Sequence, residues 1–326
     1  MQSLVENPPF FHLASRDPES KSTGSCSGVF HHEIFDKPAS AHARWWPCST
    51  ESPLRTIAFF IPGNPGLIDF YNPFLSVLHR KFKDQGLAIL AHAHLGHSPH
   101  LMEPETTKLQ HQVEACVEVV DEIMATWPDV KIVLIGHSVG SWISSQVLKE
   151  RTDHVNAAFL LFPTISNIAD TPNGRLLSWL FNPPLAATVS NLSVLIRPFV
   201  TPIVSLLYSP WPDHQRRVLS SLLRSTSAIR ACLNMAYDEM RTIKAPDDLL
   251  LTKQSSKLWL YYAEKDNWVG QEREIIISLL GQDATVRVVH CKHGVPHAFC
   301  ILHGDLIAEQ VSSWLVEGGF VAQETL

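Results

Sequence analysis

The sequence predicts an α/β fold, a mostly parallel central sheet with helices on both faces and a long hydrophobic insertion. Three observations predict it. Short apolar and β-branched runs recur at 56–61, 87–91, 131–135, 155–162, 257–262 and 285–290. Segments of helical period separate most of these runs. About ninety residues, far more than an ordinary connection, separate the run ending at Phe162 from the one starting at Lys257.

The elements follow in order. Residues 1–25 are polar and expected to be loose, with no basic stretch leading into an apolar one, so no secretory signal is read there. Residues 28–35 and 41–46 read as two strands, a hairpin opening the sheet. The strand 56–61 runs into Pro62-Gly63-Asn64-Pro65-Gly66, which reads as an ordered loop. Residues 69–83 have helical period, with Phe70, Phe74, Val77, Leu78 and Phe82 on one side. The strand 87–91 leads into a loop rich in histidine. An amphipathic helix spans 108–127 and stops before Pro128. The strand 131–135 is followed by a helix over 141–149, and then by the strand 155–162. A helix at 272–280 lies between the last two strands, and 298–314 reads as a closing helix. The expected division is a core of 26–166 and 255–326, with a cap insertion at 167–254 that contains an apolar hairpin at 176–212.

Composition narrows the function. The 326 residues suffice for one large domain with a deep core, or for two smaller ones. Net charge is -6 and no basic patch stands out, so nucleic acid is not an expected partner. The 6 cysteines are scattered without paired metal spacing and read as reduced buried thiols, which points to the cytosolic side of the cell. His92, His94, His97 and His100 read as a solvated loop rather than a metal site. Gly96-His97-Ser98 starts like a nucleophile turn, but Pro99 stops a helix from following.

The chemistry centres on Gly136-His137-Ser138-Val139-Gly140, which sits between the strand run and the helix. A strand turning sharply into a helix exposes the serine hydroxyl, and the helix N-terminus aims N–H groups at the same point. Gly136 and Gly140 let backbone segments approach closely. This order reads as the nucleophile elbow of an α/β-hydrolase fold, in which an acid and then a histidine are expected to follow, each in a loop after a strand. Asp266 follows the strand 257–262, and His297 follows the strand 285–290. Glu264 is the rival acid and His293 the rival base. The oxyanion donors are expected from the Val139 amide and from Asn64, since Pro65 has no N–H. No metal or organic cofactor is called for.

The insertion is greasy. Between 176 and 212 the only charged residue is Arg197. The apolar length suffices for a bilayer, but Pro183, Pro184, Pro198, Pro202, Pro210 and Pro212 divide it. Two short helices bent at Pro183-Pro184 or Arg197-Pro198 fit better than one clean span. They serve either to dip into one leaflet or a phospholipid monolayer, or to pack on the core and line a substrate channel.

Several segments resemble the lipid droplet-associated hydrolases. They are Ile61-Pro62-Gly63-Asn64-Pro65-Gly66 with Phe70-Tyr71 and Pro73-Phe74, then 134–140, 159–165 and Pro172-Asn173-Gly174-Arg175. Tyr261-Tyr262 with Asp266 and Trp268, and Pro296-His297-Ala298-Phe299, complete the set in order. The resemblance implies a serine lipid hydrolase on the cytosolic face of lipid droplets and the endoplasmic reticulum, with sterol esters as a substrate class. It implies Ser138 as nucleophile, Asp266 as acid and His297 as base, and it favours the membrane reading of 176–212. The rival functions are an acyltransferase or thioesterase on the same three residues, and a droplet structural or recruiting protein with little turnover.

Overall fold

The computed structural model describes residues 7–14, 20–33, 38–101, 108–280 and 287–322. Its strands are β1 (Phe11–Leu13), β2 (Cys26–His32), β3 (Ala39–Trp46), β4 (Thr56–Ile61), β5 (Leu87–His92), β6 (Lys131–His137), β7 (Val155–Leu161), β8 (Leu258–Tyr262) and β9 (Arg287–His290). They form one sheet in the order β1-β2-β3-β5-β4-β6-β7-β8-β9. The pairs β1–β2, β2–β3 and β3–β5 are antiparallel, and every pair from β5 across to β9 is parallel.

The helices are α1 (Ser20–Thr23), α2 (Asn72–Phe82), α3 (Leu109–Thr126), α4 (Val139–Glu150), α5 (Pro172–Leu177), α6 (Pro183–Ile196), α7 (Val200–Leu207), α8 (Asp213–Arg224), α9 (Thr226–Thr242), α10 (Asp248–Lys253), α11 (Glu272–Leu280) and α12 (Gly304–Glu317). Every residue of β4, β5 and β8 is buried, because helices cover both faces of a parallel sheet. Alternate residues sort to the two faces. Ile57, Phe59 and Ile61 pack with Val113 and Val120 of α3 and Ile143 of α4. Ala58 and Phe60 pack with Phe74 and Leu78 of α2 and Val311 and Trp314 of α12. Each such large side chain contributes roughly 1.5–3 kcal/mol through burial.

Three expectations are corrected. The N-terminal segment is not wholly loose, since Phe11 to Leu13 pair with β2, and Phe11 is buried. The histidine loop is not solvated: His92, His94 and His97 are at most 1% exposed, and only His100 is open to solvent. Burial pulls the His94 imidazole down to about 4, so it stays neutral at pH 7. The closing helix starts at Gly304, not at Ala298. Residues 298–303 form turns, because Phe299 must stack on Phe162 and meet Phe74 edge-on while His297 stays at the site.

The cap carries α5 to α10 between β7 and β8. Over 176–212 the chain forms two short helices, α6 and α7, that meet at Arg197–Phe199, one of the two breaks read from the prolines. Residues Pro183–Leu207 make a nearly continuous helical rod of 25 residues, interrupted by one 3-10 turn at Arg197–Phe199. The prolines sit where helices begin. Pro183 and Pro184 open α6, and Pro202 lies in the first turn of α7, where an N–H has no intrahelical acceptor. By length and composition this rod is apolar enough to cross a membrane, and only 22% of its most apolar stretch is buried.

Candidate active site

The site begins at the junction of β6 and α4. Ser138 stands between them with φ 54 and ψ -122. A serine held there costs about 1–3 kcal/mol, so it persists only because strand and helix over-determine it. Its amide donates to the Leu161 carbonyl at 3.0 Å. The flanking glycines are required by close approach. A Cβ on Gly136 would lie 2.4 Å from the Gly140 carbonyl oxygen, and one on Gly140 would lie 2.2 Å from the Ile61 carbonyl oxygen. The second contact shows α4 pressed against the loop that leaves β4.

Three separate loops bring Ser138, His297 and Asp266 into one hydrogen-bonded chain. His297 Nε2 is 2.8 Å from Ser138 Oγ. His297 Nδ1 is 2.7 Å from Asp266 Oδ2. The carboxylate can only accept, so Nδ1 carries the proton and Nε2 is left to accept from the serine hydroxyl. Trp268 N donates to the other Asp266 oxygen at 2.9 Å. Burial pushes the Asp266 carboxyl up, but the His297 hydrogen bond and charge, with the Trp268 amide, outweigh it and hold the acid below its usual range. Glu264 and His293 are exposed and stand outside this chain.

Asn64 and Val139 are the residues read as oxyanion donors. Asn64 lines the same cavity as Ser138 and His297. Val139 is the first residue of α4 and fully buried. Among the described residues, neither amide donates a hydrogen bond within the protein. The Asn64 side chain turns toward the cap, donating to the Cys232 carbonyl and to Glu239 Oε1, both at 2.9 Å. It thereby ties the loop after β4 to α9.

Sequence reasoning missed a second network that holds the three loops together. Gly63 N donates to the Tyr71 hydroxyl at 3.1 Å, and that hydroxyl is 2.7 Å from His137 Nδ1. His137 Nε2 donates to the His297 carbonyl at 2.9 Å, so Nδ1 must accept from Tyr71. Burial, with the nearby His297, pulls His137 down to about 3, and it stays neutral. Glu239 was also missed. Burial raises its carboxyl to about 8, against the pull of the Asn64 hydrogen bond, so it is mostly protonated at pH 7.

The serine opens into a cavity of about 520 Å3. Most of its wall is apolar and comes from the cap, including Phe181, Trp211, Leu222, Leu233 and Met240. Cavities of this size hold a small organic ligand or one acyl chain. A serine hydroxyl whose proton is accepted by an oriented imidazole can attack an electrophilic carbonyl carbon, and the apolar wall suits a hydrocarbon attached to it.

Known proteins agree with this frame. The family model described as lipid-droplet associated hydrolase matches residues 54–300. The human lipid droplet-associated hydrolase is 30% identical over 289 residues, covering 80% of this chain and 85% of that one. The protein of that name from Gallus gallus is 29% identical over 279 residues, covering 80% and 85%. A peroxisomal alpha-beta-hydrolase from Saccharomyces cerevisiae superposes with a TM-score of 0.63 at 9% identity, over 93% of this chain and 90% of that one, which is a likeness of fold. The chain therefore belongs to the lipid-droplet associated hydrolase family and is a hydrolase built on the α/β-hydrolase fold.

Proposed function

We propose that the protein is a serine ester hydrolase that cleaves lipid esters, sterol esters among them, at the surface of lipid droplets and the endoplasmic reticulum. The observation that carries the chemistry is the chain Ser138–His297–Asp266 opening into an apolar cavity. Ser138 Oγ attacks the ester carbonyl carbon while His297 Nε2 takes its proton. The carbonyl oxygen becomes an oxyanion, stabilised by the Asn64 and Val139 amides. Collapse breaks the bond to the alcohol, which leaves with the proton from His297, and the acyl group stays on Ser138. Water then attacks the acyl-enzyme and gives its proton to His297. The second collapse releases the fatty acid and returns the proton to Ser138. Asp266 keeps His297 in the required tautomer and offsets its transient charge. No step calls for a metal or organic cofactor.

The apolar wall supports a long acyl chain over a short polar one. The family name supports placement on lipid droplets. The exposed rod α6–α7 supports attachment by an amphipathic surface to a monolayer or the cytosolic leaflet. The experiment is activity profiling of purified wild type and Ser138→Ala against sterol esters, acylglycerols and short soluble esters, with fluorophosphonate labelling in parallel. Wild type is labelled and prefers a long-chain lipid ester, and Ser138→Ala does neither. Persistent labelling of Ser138→Ala assigns another nucleophile and overturns the mechanism.

A further inference from the structure

The cap holds a second cavity that ester hydrolysis does not use. It is an open cleft of about 1200 Å3 between α7, α8 and the start of α9. Arg197, Arg216, Arg217, Arg224 and Arg230 line it, with Asp213 as the one carboxylate. The whole chain carries -6, so this excess of positive charge is local.

Little inside the protein offsets it. Arg216 pairs with Asp213. Arg197 donates to the neutral Thr226 hydroxyl at 2.9 Å, and Arg230 to Asn191 Oδ1 at 2.6 Å. Arg217, which is exposed, makes no hydrogen bond or ion pair among the described residues. The 17-residue helix α9 begins in the cleft at Thr226 and Ser227, which adds the positive end of its dipole. Guanidinium groups gathered this way repel one another and present forked donors suited to phosphate oxygens.

The neighbourhood selects among anions. Helix α7 gives Thr201 and Ser205 to the cleft, while Ile203, Leu206 and Leu207 are exposed to the outside. Arg197 itself interrupts the apolar rod, between exposed Ile196 and Phe199. Exposed apolar side chains of α7 therefore lie within one helix of the arginines that line the cleft. An interfacial helix gains from anionic headgroups in this way. The neutral esters inside a droplet carry no such charge, whereas its phospholipid coat does.

We propose that the cleft binds the phosphate of an anionic phospholipid headgroup, and so fixes how the cap sits on the lipid surface. The proposal rests on the reading of α6–α7 as the surface-attached element. The ligand class is a phosphate-bearing headgroup, and the arginine cleft recognises the phosphate rather than the acyl chains.

The test is vesicle flotation of the purified full-length chain. One set of vesicles is phosphatidylcholine alone, and the other contains added phosphatidic acid. Wild type binds the anionic set at least about tenfold more tightly in low salt, and the preference shrinks as salt rises. The doubly charge-reversed variant Arg217→Glu with Arg224→Glu loses that preference, keeps the residual binding to phosphatidylcholine, and still hydrolyses a short soluble ester. Leu195→Ser with Leu206→Ser loses binding to both sets. Retention of the anionic preference by the charge-reversed variant overturns the cleft as the site. Equal binding of wild type to both sets overturns the cleft and leaves the surface reading standing, whereas no binding to either set removes the surface reading itself. Thermal melts with inorganic phosphate and with dihexanoyl phosphatidic acid separate the sources. If inorganic phosphate raises Tm as much as the short-chain lipid, the site takes a free anion and the headgroup assignment fails.

Discussion

The sheet and the cap solve opposite problems with similar side chains. In the sheet, Ile57, Phe59, Leu134 and Phe159 are fully buried between two helical layers. In the cap, Leu195 is 71% and Leu206 77% exposed although both are as apolar as anything in the core. Of the seventeen large hydrophobic residues exposed among the described ones, twelve lie between 176 and 208. Scattered exposed leucines need no explanation, but a concentration on one rod marks a surface for something apolar. The core uses burial to hold three loops in register. The cap uses the same side chains to wall the cavity and to form the exposed face proposed to meet a lipid surface.

The comparison can be broken most sharply at the serine. Ser138→Ala or His297→Ala is expected to cut kcat on the order of 10⁵–10⁶-fold on any ester, and Asp266→Asn about 10⁴-fold. Thermal melts should hardly change, since the proposed role of the three groups is in chemistry. A loss of less than tenfold for Ser138→Ala would move the chemistry elsewhere. The next effect is on stability. Phe159→Ala, which empties a site between the rings of Trp259 and Trp314, is expected to cost about 3–5 kcal/mol by denaturant titration.

A subtler effect belongs to the seam between the two regions. Glu239 of α9 holds Asn64 of the core. Its folded carboxyl titrates near 8 against an ordinary 4.5, so the folded state holds the proton more tightly than the unfolded chain. The stability linked to that proton is complete below pH 4.5 and is lost as pH rises through about 8. Glu239→Gln should therefore flatten the decline in Tm between about pH 4.5 and 8, by a few degrees. An unchanged pH profile would mean that Glu239 does not titrate there. The smallest effect on stability belongs to the cap face. Leu195→Ser with Leu206→Ser should shift unfolding by less than about 1 kcal/mol. The same pair should abolish recruitment to artificial lipid droplets, read by flotation. A destabilisation as large as that of Phe159→Ala would mean the face is packed in solution.

Much of this was legible before any coordinates. The buried strands announce themselves as unbroken apolar runs, and β4 spans Thr56–Ile61 as read. The meeting of Ser138, Asp266 and His297 was readable because the chemistry proposed for them demands a fixed chain order and loops after strands. The Tyr71–His137 link and the Asn64–Glu239 link were not readable. They join residues 66 and 175 positions apart, and no local pattern encodes such a pairing. The histidine loop misled for the same reason. Histidine in a loop is usually wet, yet His97 is fully buried and accepts the Gly66 amide at 2.9 Å.

By itself the sequence determined the sheet, the elbow and the order of Ser138, Asp266 and His297. Each depends on short-range spacing and on a composition that only a buried parallel strand or a tight turn accommodates. Tertiary structure decided what surrounds them: the neutral state of His137 and Glu239, the cavity wall drawn from the cap, and which of the prolines start helices. A proline breaks a helix or starts one according to which turn it occupies, and a carboxyl is charged or neutral according to what buries it. Both are properties of neighbours that the chain meets only once it has folded.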